Sequence, residues 1–565
     1  MSDPLLLHHD GAKRSHVRAG GAVMGKLLSW LAVSSVLALA LGMAGCSKDP
    51  VPTAATVPTS GPAGTPDNSL TVLAGSELKD LEPFLPALEK ATGVRVVFKY
   101  SGTLEAVERI QSGELFDAAW LANNRYALLT PGVKEKVLAS ERTMITPVVL
   151  GIKQSKAKAL GWADANGVTN ANITWKDIAQ AAEKNRFSFG MTSPSASNTG
   201  FSGLIGVAAA LAGKGDALEE SDIDAKQLSA FFKAQTLTAG SSGWLADAYV
   251  KEQSRMDGMI NYASSLHALN AGGKLSEPLT LIYPKEGIIT ADYPFMLLNN
   301  ARRGDYDKVL AYVRSAAFQA PMTQQTYRKP VASDVPFDAK LYPANLIELP
   351  FPAKLSVIDA VLQAFDNQIR RPADSSFVLD ISGSMNGPRI EQMKTALLGL
   401  TGLDTSLSGR FARLRERETI SLTAFDDTVR PSEIYTLGKD QREATELRIR
   451  NYISSLQTGG GTAIFTATQA AYQEAVTRRG KDPGPFYSVV VLTDGKNNKG
   501  LDARAFESWY DALPDASKGI RIFAIQFGEA QADELDKLAT LSGGRVFNAS
   551  KTPLAQVFKE IRGYQ

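Results

Sequence analysis

Residues 378–387 read VLDISGSMNG, an apolar run that ends in Asp380 and then sets Ser382 and Ser384 at every second position. In extended chain, residues two apart point the same way. The carboxylate and the two hydroxyls therefore converge just beyond a strand end, with Gly383 relieving the crowding between the serines. Two more strand ends carry oxygen groups. TGGGTA (458–463) presents Thr462 on a glycine-rich turn, and VLTDGKNN (491–498) presents Asp494 at the tip of the most apolar strand. These five donors are all hard oxygens, with neither His nor Cys among them. Such a set suits Mg²⁺, which takes octahedral oxygen ligation at ~2.1 Å and usually keeps waters. Taken alone, DISGS reads as a helix N-cap ahead of Ile390; the two further loops make it a metal-site pattern. TGGGTA lacks the GK[ST] ending of a phosphate loop, which argues against nucleotide binding.

The surroundings of that stretch alternate strand and helix. Strands are expected at SFVLD (376–380), TISLTAF (419–425), SVVVLTD (488–494), IRIFAIQFG (520–528) and RVFNA (545–549). Amphipathic helices are expected between them, as at IEQMKTALLGL (390–400) and ATQAAYQEAVTR (467–478). A run such as SVVVL, apolar on both faces, fits a central parallel sheet covered by helices. In open sheets of this kind ligands bind at the carboxyl ends of strands. Asp426 and Asp427 follow one such strand and read as exposed turn residues, with negative charge added around the metal site as the alternative.

The order Asp-x-Ser-x-Ser, distant Thr, distant Asp closely resembles the metal-ion-dependent adhesion site (MIDAS) of von Willebrand factor A (VWA) domains. All five positions are filled, by Asp380, Ser382, Ser384, Thr462 and Asp494. The resemblance implies a Rossmann-like VWA domain with a mostly parallel sheet over 373–565. It also implies a bound Mg²⁺ (or Mn²⁺/Ca²⁺), and one coordination position left open for an acidic residue of a protein partner.

Upstream, over 69–350, short apolar strands again alternate with helical runs, as in LTVLAG (70–75), VRVVFKY (94–100), FDAAWLA (116–122), TPVVLGI (146–152), RFSFGM (186–191) and PLTLIYP (278–284). This pattern argues for α/β layers. The strands end in small polar loops whose Ser, Thr and Asn residues are helix caps first of all and can also aim donors at an anion. The blocks LTVLAGSELKDLEPFLPALEKATGVRVVFKYSGTLEAVERIQSGELFDAAW, TWKDIA and LIYPKEGIITADYPF resemble type II periplasmic solute-binding proteins, the molybdate- and phosphate-like branch in particular. The resemblance implies a bilobal domain closing over a small solute or oxyanion. It places Ser76, Ser101, Thr103, Asn123 and the loop with Ser195, Asn198 and Thr199 at the cleft. No arginine sits in the quoted loops, so a tightly held dianion is not specified. Pro350-Phe351-Pro352 closes this region, and LSVIDAVLQAFDNQIRR (355–371) reads as a connecting helix within a 351–372 linker.

The first 45 residues carry Lys13, Arg14, Arg18 and Lys26 ahead of an apolar run from Leu27 to Gly45, the pattern of a secretory signal. Cys46, directly after Ala44-Gly45, is the only cysteine of the chain. The junction resembles a bacterial lipoprotein lipobox, with Cys46 as the lipidated residue, although Met43 stands where Leu is more usual. An uncleaved membrane anchor is the alternative, and Met24 is a second possible start. Residues 46–68, rich in Pro, Thr, Ser and Gly, are expected to be an extended linker that would hold the folded part off the membrane. Both readings place the bulk of the chain in the cell envelope, outside the cytoplasm and tethered to a membrane. A single cysteine excludes an intrachain disulfide, and a formal net charge of +2 over 565 residues argues against bulk capture of nucleic acid. Of four histidines three, His8, His9 and His16, precede the apolar run. Ser-His-Asp hydrolysis and multi-histidine zinc are thereby disfavoured.

Three functions follow from this sequence. The leading one is an adhesin-like binding protein that grips an acidic partner through its metal, with the solute-binding-like domain sensing a ligand or serving as a scaffold. The second is the ligand receptor of an ABC-type transport system. The third is a Mg²⁺ enzyme, disfavoured because no general base with a partner stands near the hydroxyl ligands.

Overall fold

The computed structural model describes residues 68–564, except 215–216, 344, 407–408, 410–411, 528–531 and 550–553. The expected signal segment, Cys46 and most of the linker lie outside the described residues. No helix among the described residues is long and apolar enough to cross a membrane.

The first region builds two sheets. One is ordered β2-β1-β3-β11-β4, from β1 (Ser69–Gly75), β2 (Arg95–Ser101), β3 (Ala118–Trp120), β4 (Ala139–Arg142) and β11 (Pro294–Leu297). Its first three strands run parallel, and β11 pairs antiparallel with β3 and β4. The other sheet centres on the long β5 (Met144–Lys153), which pairs antiparallel with β8 (Gly258–Tyr262), β9 (Leu279–Ile282), β10 (Thr290–Ala291) and β12 (Lys329–Pro330). It continues through β6 (Phe189–Thr192) to β7 (Gln235–Ala239). The chain thus crosses between the sheets more than once, which is how two lobes come to face one cleft. β7 and β8 have no clean alternation: GMINY opens on glycine and buries all five residues, Asn261 included.

The expected connector is more than a spacer. The helix Leu355–Ala364 and the π-turn Phe365–Ile369 bury Val357, Ile358, Val361, Leu362, Phe365 and Ile369 in the apolar core of the first region. The Phe365 ring stands edge-on to Phe232 at 5.0 Å.

The second region is one six-stranded sheet ordered β15-β14-β13-β16-β17-β18. Its strands are β13 (Ala373–Asp380), β14 (Thr419–Phe425), β15 (Glu433–Thr436), β16 (Phe486–Thr493), β17 (Arg521–Gln526) and β18 (Val546–Asn548). All pairings are parallel except that of the edge strand β15. As expected for SVVVL, Val489 and Val491 pack into one core while Val490 and Leu492 pack into the other, on the opposite face. The two regions meet where Trp244 stands edge-on to Tyr564 at 4.6 Å and Arg521 pairs with Glu252 at 2.7 Å.

Candidate functional site

β13 and β16 are neighbours, in register from Ala373 and Phe486 to Leu379 and Leu492. Asp380 and Thr493 therefore come side by side where both strands stop, and Thr493 Oγ1 donates to Asp380 Oδ2 at 2.5 Å. The other oxygen, Asp380 Oδ1, accepts the Ser382 N–H at 2.8 Å. This bond turns the chain so that Ser382 and Ser384 stand together, Oγ to Oγ 3.1 Å. Ser384 Oγ in turn donates to Asp494 Oδ1 at 2.8 Å. The helix that follows, Pro388–Leu398, is capped at Gly387 with no side-chain bond. The serines are therefore not helix caps; their hydroxyls go to the site.

Thr462 reaches the same place on the glycine turn. Gly460 adopts φ +74°, a conformation open to glycine at little cost. Its carbonyl accepts the Gly383 N–H at 3.1 Å. The Thr462 N–H donates to Asn498 Oδ1 at 2.9 Å, and its carbonyl accepts the Asn498 N–H at 3.0 Å. The three loops are thus laced together by backbone bonds. A point one bond length from the Gly495 Cα lies 3.3 Å from Thr462 Oγ1 and 3.5 Å from Ser384 Oγ. Thr462 is buried, and its hydroxyl makes no hydrogen bond among the described residues. Asp427, exposed as expected, also accepts the Gly461 N–H at 2.9 Å and so braces this loop.

Asp380, Ser382, Thr462 and Asp494 are each at most 6% exposed, whereas Ser384 is at the surface. Burial pushes the Asp380 carboxyl up, against the bonds from Ser382 and Thr493 that favour its charged form. One residue escaped the sequence reading. Arg389, in the first turn of the following helix, pairs with Asp494 Oδ2 and donates to the Ser384 carbonyl at 3.2 Å. Nothing in its spacing announces this role. Among the described residues no three His, Cys, Asp or Glu side chains group into a metal cluster. A cation here would be held by hydroxyls with two carboxylates, and the chemistry of this donor set fits a hard, oxygen-preferring ion.

The cleft residues also meet. Asn198, opening the helix Asn198–Ala212, accepts from Thr103 Oγ1 at 3.2 Å and from Asn123 Nδ2 at 2.8 Å, and donates to the Tyr262 hydroxyl at 3.1 Å. Tyr262 donates on to Glu77 Oε1 at 3.1 Å. This chain joins one lobe to the other, and Gly102 allows it: a Cβ there would stand 2.1 Å from the Ala196 carbonyl oxygen. Neither helix opened by Thr103 or Asn198 has a side-chain cap, so these groups bond to one another and not to the helix ends. Thr199 pairs with Thr192, Oγ1 to Oγ1 2.7 Å. Ser76 opens a 3₁₀ turn and is half-buried, while Ser101 is buried with a hydroxyl that has no partner among the described residues. Ser195 lies apart from the Asn198 group, lining a small recess with Asp366, Arg370 and Arg562.

Sequence reasoning missed Glu77, Tyr262 and Arg328 here. Burial pushes the Glu77 carboxyl up. Arg328, 2% exposed, donates to both carboxylate oxygens of Asp80, at 2.9 and 2.8 Å. Glu77 adjoins the quoted Ser76, so a cleft-facing loop was the available signal; Arg328 lies far outside the quoted loops.

Comparison with known proteins matches residues 70–328 to the bacterial extracellular solute-binding protein family and 374–560 to the von Willebrand factor type A domain. An uncharacterised protein of Synechocystis is 31% identical over 26% of this chain and 31% of its own. A UPF0353 protein of Mycolicibacterium gilvum is 27% identical over 35% of this chain and 62% of its own. The chain thus spans between about a third and three-fifths of the length of these curated relatives. Among solved structures, the periplasmic binding protein AfuA of Actinobacillus pleuropneumoniae, with fructose-6-phosphate bound, aligns at 14% identity with a TM-score of 0.41, covering 53% of this chain and 98% of its own. The sulfate-binding protein SubI of Mycobacterium tuberculosis aligns at 16% identity with a TM-score of 0.37, covering 52% of this chain and 96% of its own.

Proposed function

Since the chain carries a solute-binding domain over 70–328 and a VWA domain over 374–560, we propose that it is an extracytoplasmic binding protein, tethered to the membrane through Cys46, that engages an acidic group of a protein partner through a divalent cation. The observation that carries this reading is the convergence of Ser382, Ser384, Thr462 and Asp494 oxygens beside Asp380, where β13 and β16 end. Ser382, Ser384 and Thr462 would hold Mg²⁺ or Mn²⁺, with Asp380 and Asp494 acting directly or through water. The bound ion would supply a positive centre for one further carboxylate. Few fixed negative charges leave such an ion attractive to an outside acid. No catalytic step is assigned to any residue.

The solute-binding domain senses or scaffolds in this reading. Glu77, half-buried beside Tyr262, favours a ligand bearing hydrogen-bond donors over a dianion. Delivery of that solute to a membrane permease is the second reading, supported by the family match.

The test is calorimetry with Mg²⁺ and Mn²⁺ on the full chain in detergent, followed by membrane pull-down with and without chelator. Millimolar metal giving no heat would refute the metal bridge. So would a pull-down unchanged in the Thr462→Val variant.

A further inference from the structure

At the amino ends of β16 and β17, away from the Asp380 site, a cavity of about 280 Å³ opens between the two regions. Four arginines line it and one carboxylate, Glu252. Arg255 comes from the solute-binding region, Arg371 from the connector, and Arg479 and Arg521 from the VWA region. Arg521 is neutralised by Glu252 at 2.7 Å. Among the described residues the other three guanidiniums have no carboxylate within hydrogen-bonding distance, although the Asp482 carboxylate is near enough to favour the charge on Arg371. Arg371 donates to the carbonyls of Gly484 and Pro483 at 2.7 and 3.0 Å and lies over the Phe486 ring at 4.5 Å. Arg479 donates to the carbonyls of Lys518 and Ala516 at 3.0 and 2.6 Å. Arg255 makes no side-chain hydrogen bond or ion pair among the described residues. The carboxyl end of the helix Ile464–Lys481 offsets part of the Arg479 charge but supplies no anion.

Three like charges ring one concavity, Arg255 exposed and Arg371 and Arg479 half-buried, so water screens part of their mutual repulsion. Burial, and not the neighbouring arginines, holds the Arg371 guanidinium below its ordinary range, against the opposing pull of Asp482. An anion in the cavity would relieve all three. Guanidinium groups match the oxygens of phosphate in pairs, and a volume at the small end of ligand sites suits a compact molecule better than a peptide.

We propose that this cavity is a binding site for a small phosphate-bearing polyanion. Its donors come from three segments, so the ligand clamps the VWA region onto the solute-binding region. The site does not depend on the metal, because it lies at the opposite end of the sheet.

The test is calorimetry of pyrophosphate, orthophosphate and citrate against the full chain in detergent, at low salt and without divalent cations. Pyrophosphate is expected to bind, about tenfold more weakly to Arg255→Gln, which breaks no internal bond, and not at all to Arg255→Glu. Asp380→Ala is expected to bind as the parent does. Absence of heat with both phosphates overturns the proposal, as does Arg255→Glu binding pyrophosphate undiminished. Citrate binding as tightly as pyrophosphate overturns the phosphate assignment.

Discussion

Arg389 offers a quantitative handle on the metal reading, because it already sits where a cation is expected to draw on Asp494. Its guanidinium pairs with Asp494 Oδ2 while 45% of the side chain remains exposed. A half-exposed pair of this kind is worth about 0.5–1 kcal/mol. A divalent ion using Asp494 must share or break it. If the arginine stays within about 6 Å, its charge opposes the ion by roughly 1.4 kcal/mol at a water-like dielectric, less with salt. Combining the two and discounting for screening leaves about 1.4 kcal/mol, a factor of about ten in affinity. Arg389→Gln is therefore expected to bind Mg²⁺ and Mn²⁺ about tenfold more tightly, with the apo protein losing less than about 1 kcal/mol of stability. Calorimetry across 0.05–0.5 M salt reads both terms, and the gain should shrink as salt rises. An affinity unchanged or weakened in the variant would refute the reasoning, since Arg389 would then be a neutral bystander or itself a support for the site.

Thr462→Val removes a hydroxyl that makes no internal bond, so metal heat should vanish while the melting temperature without metal moves little. Gly102→Val keeps an allowed backbone, φ −74°, but drives its Cβ into the Ala196 carbonyl. Solution scattering should show a larger radius as the lobes part, and an unchanged profile would deny that Gly102 sets the closure. For Glu418, burial alone would raise the carboxyl, but Arg562 and Arg370 outweigh it and bring it down to about 2. A carboxyl depressed in the fold stabilises above its unfolded value of 4.5 and loses that contribution as pH falls toward 2. Urea midpoints between pH 5 and 2 should thus fall by the equivalent of about 3 kcal/mol, and in Glu418→Gln the slope should flatten while stability at pH 7 is lower.

The convergence of the Asp380, Ser382, Ser384 and Asp494 oxygens was legible because it is carried by residue type and spacing at strand ends. Period-two spacing aims Asp380 and Ser384 whatever the packing beyond them, and SVVVL announces a strand buried on both faces. Arg389 was not legible: a guanidinium has reach enough to go elsewhere, and only the helix start at Pro388 decides that it turns back over Asp494. The same distinction separates the two halves of the cleft. Thr103, Asn123 and Asn198 could be placed from loops that follow strands. Glu77, Tyr262 and Arg328 depend on which elements are brought together by chain crossings between two sheets, and β8, with Gly258 and Asn261 inside it, carries no period to read. The connector shows the limit most directly. LSVIDAVLQAF is apolar enough to be core, yet its sequence does not say whose. In the structure Phe365 docks against Phe232 while Arg370, five residues on, binds Glu418 at the edge of β14. One short segment is therefore anchored in both regions. Shifts between the regions must strain either that aromatic contact or that ion pair, so the Glu418→Gln variant should also loosen the seam, seen as faster hydrogen exchange in 365–370 than in the parent. Equal exchange there would mean that the Phe365 contact alone holds the segment.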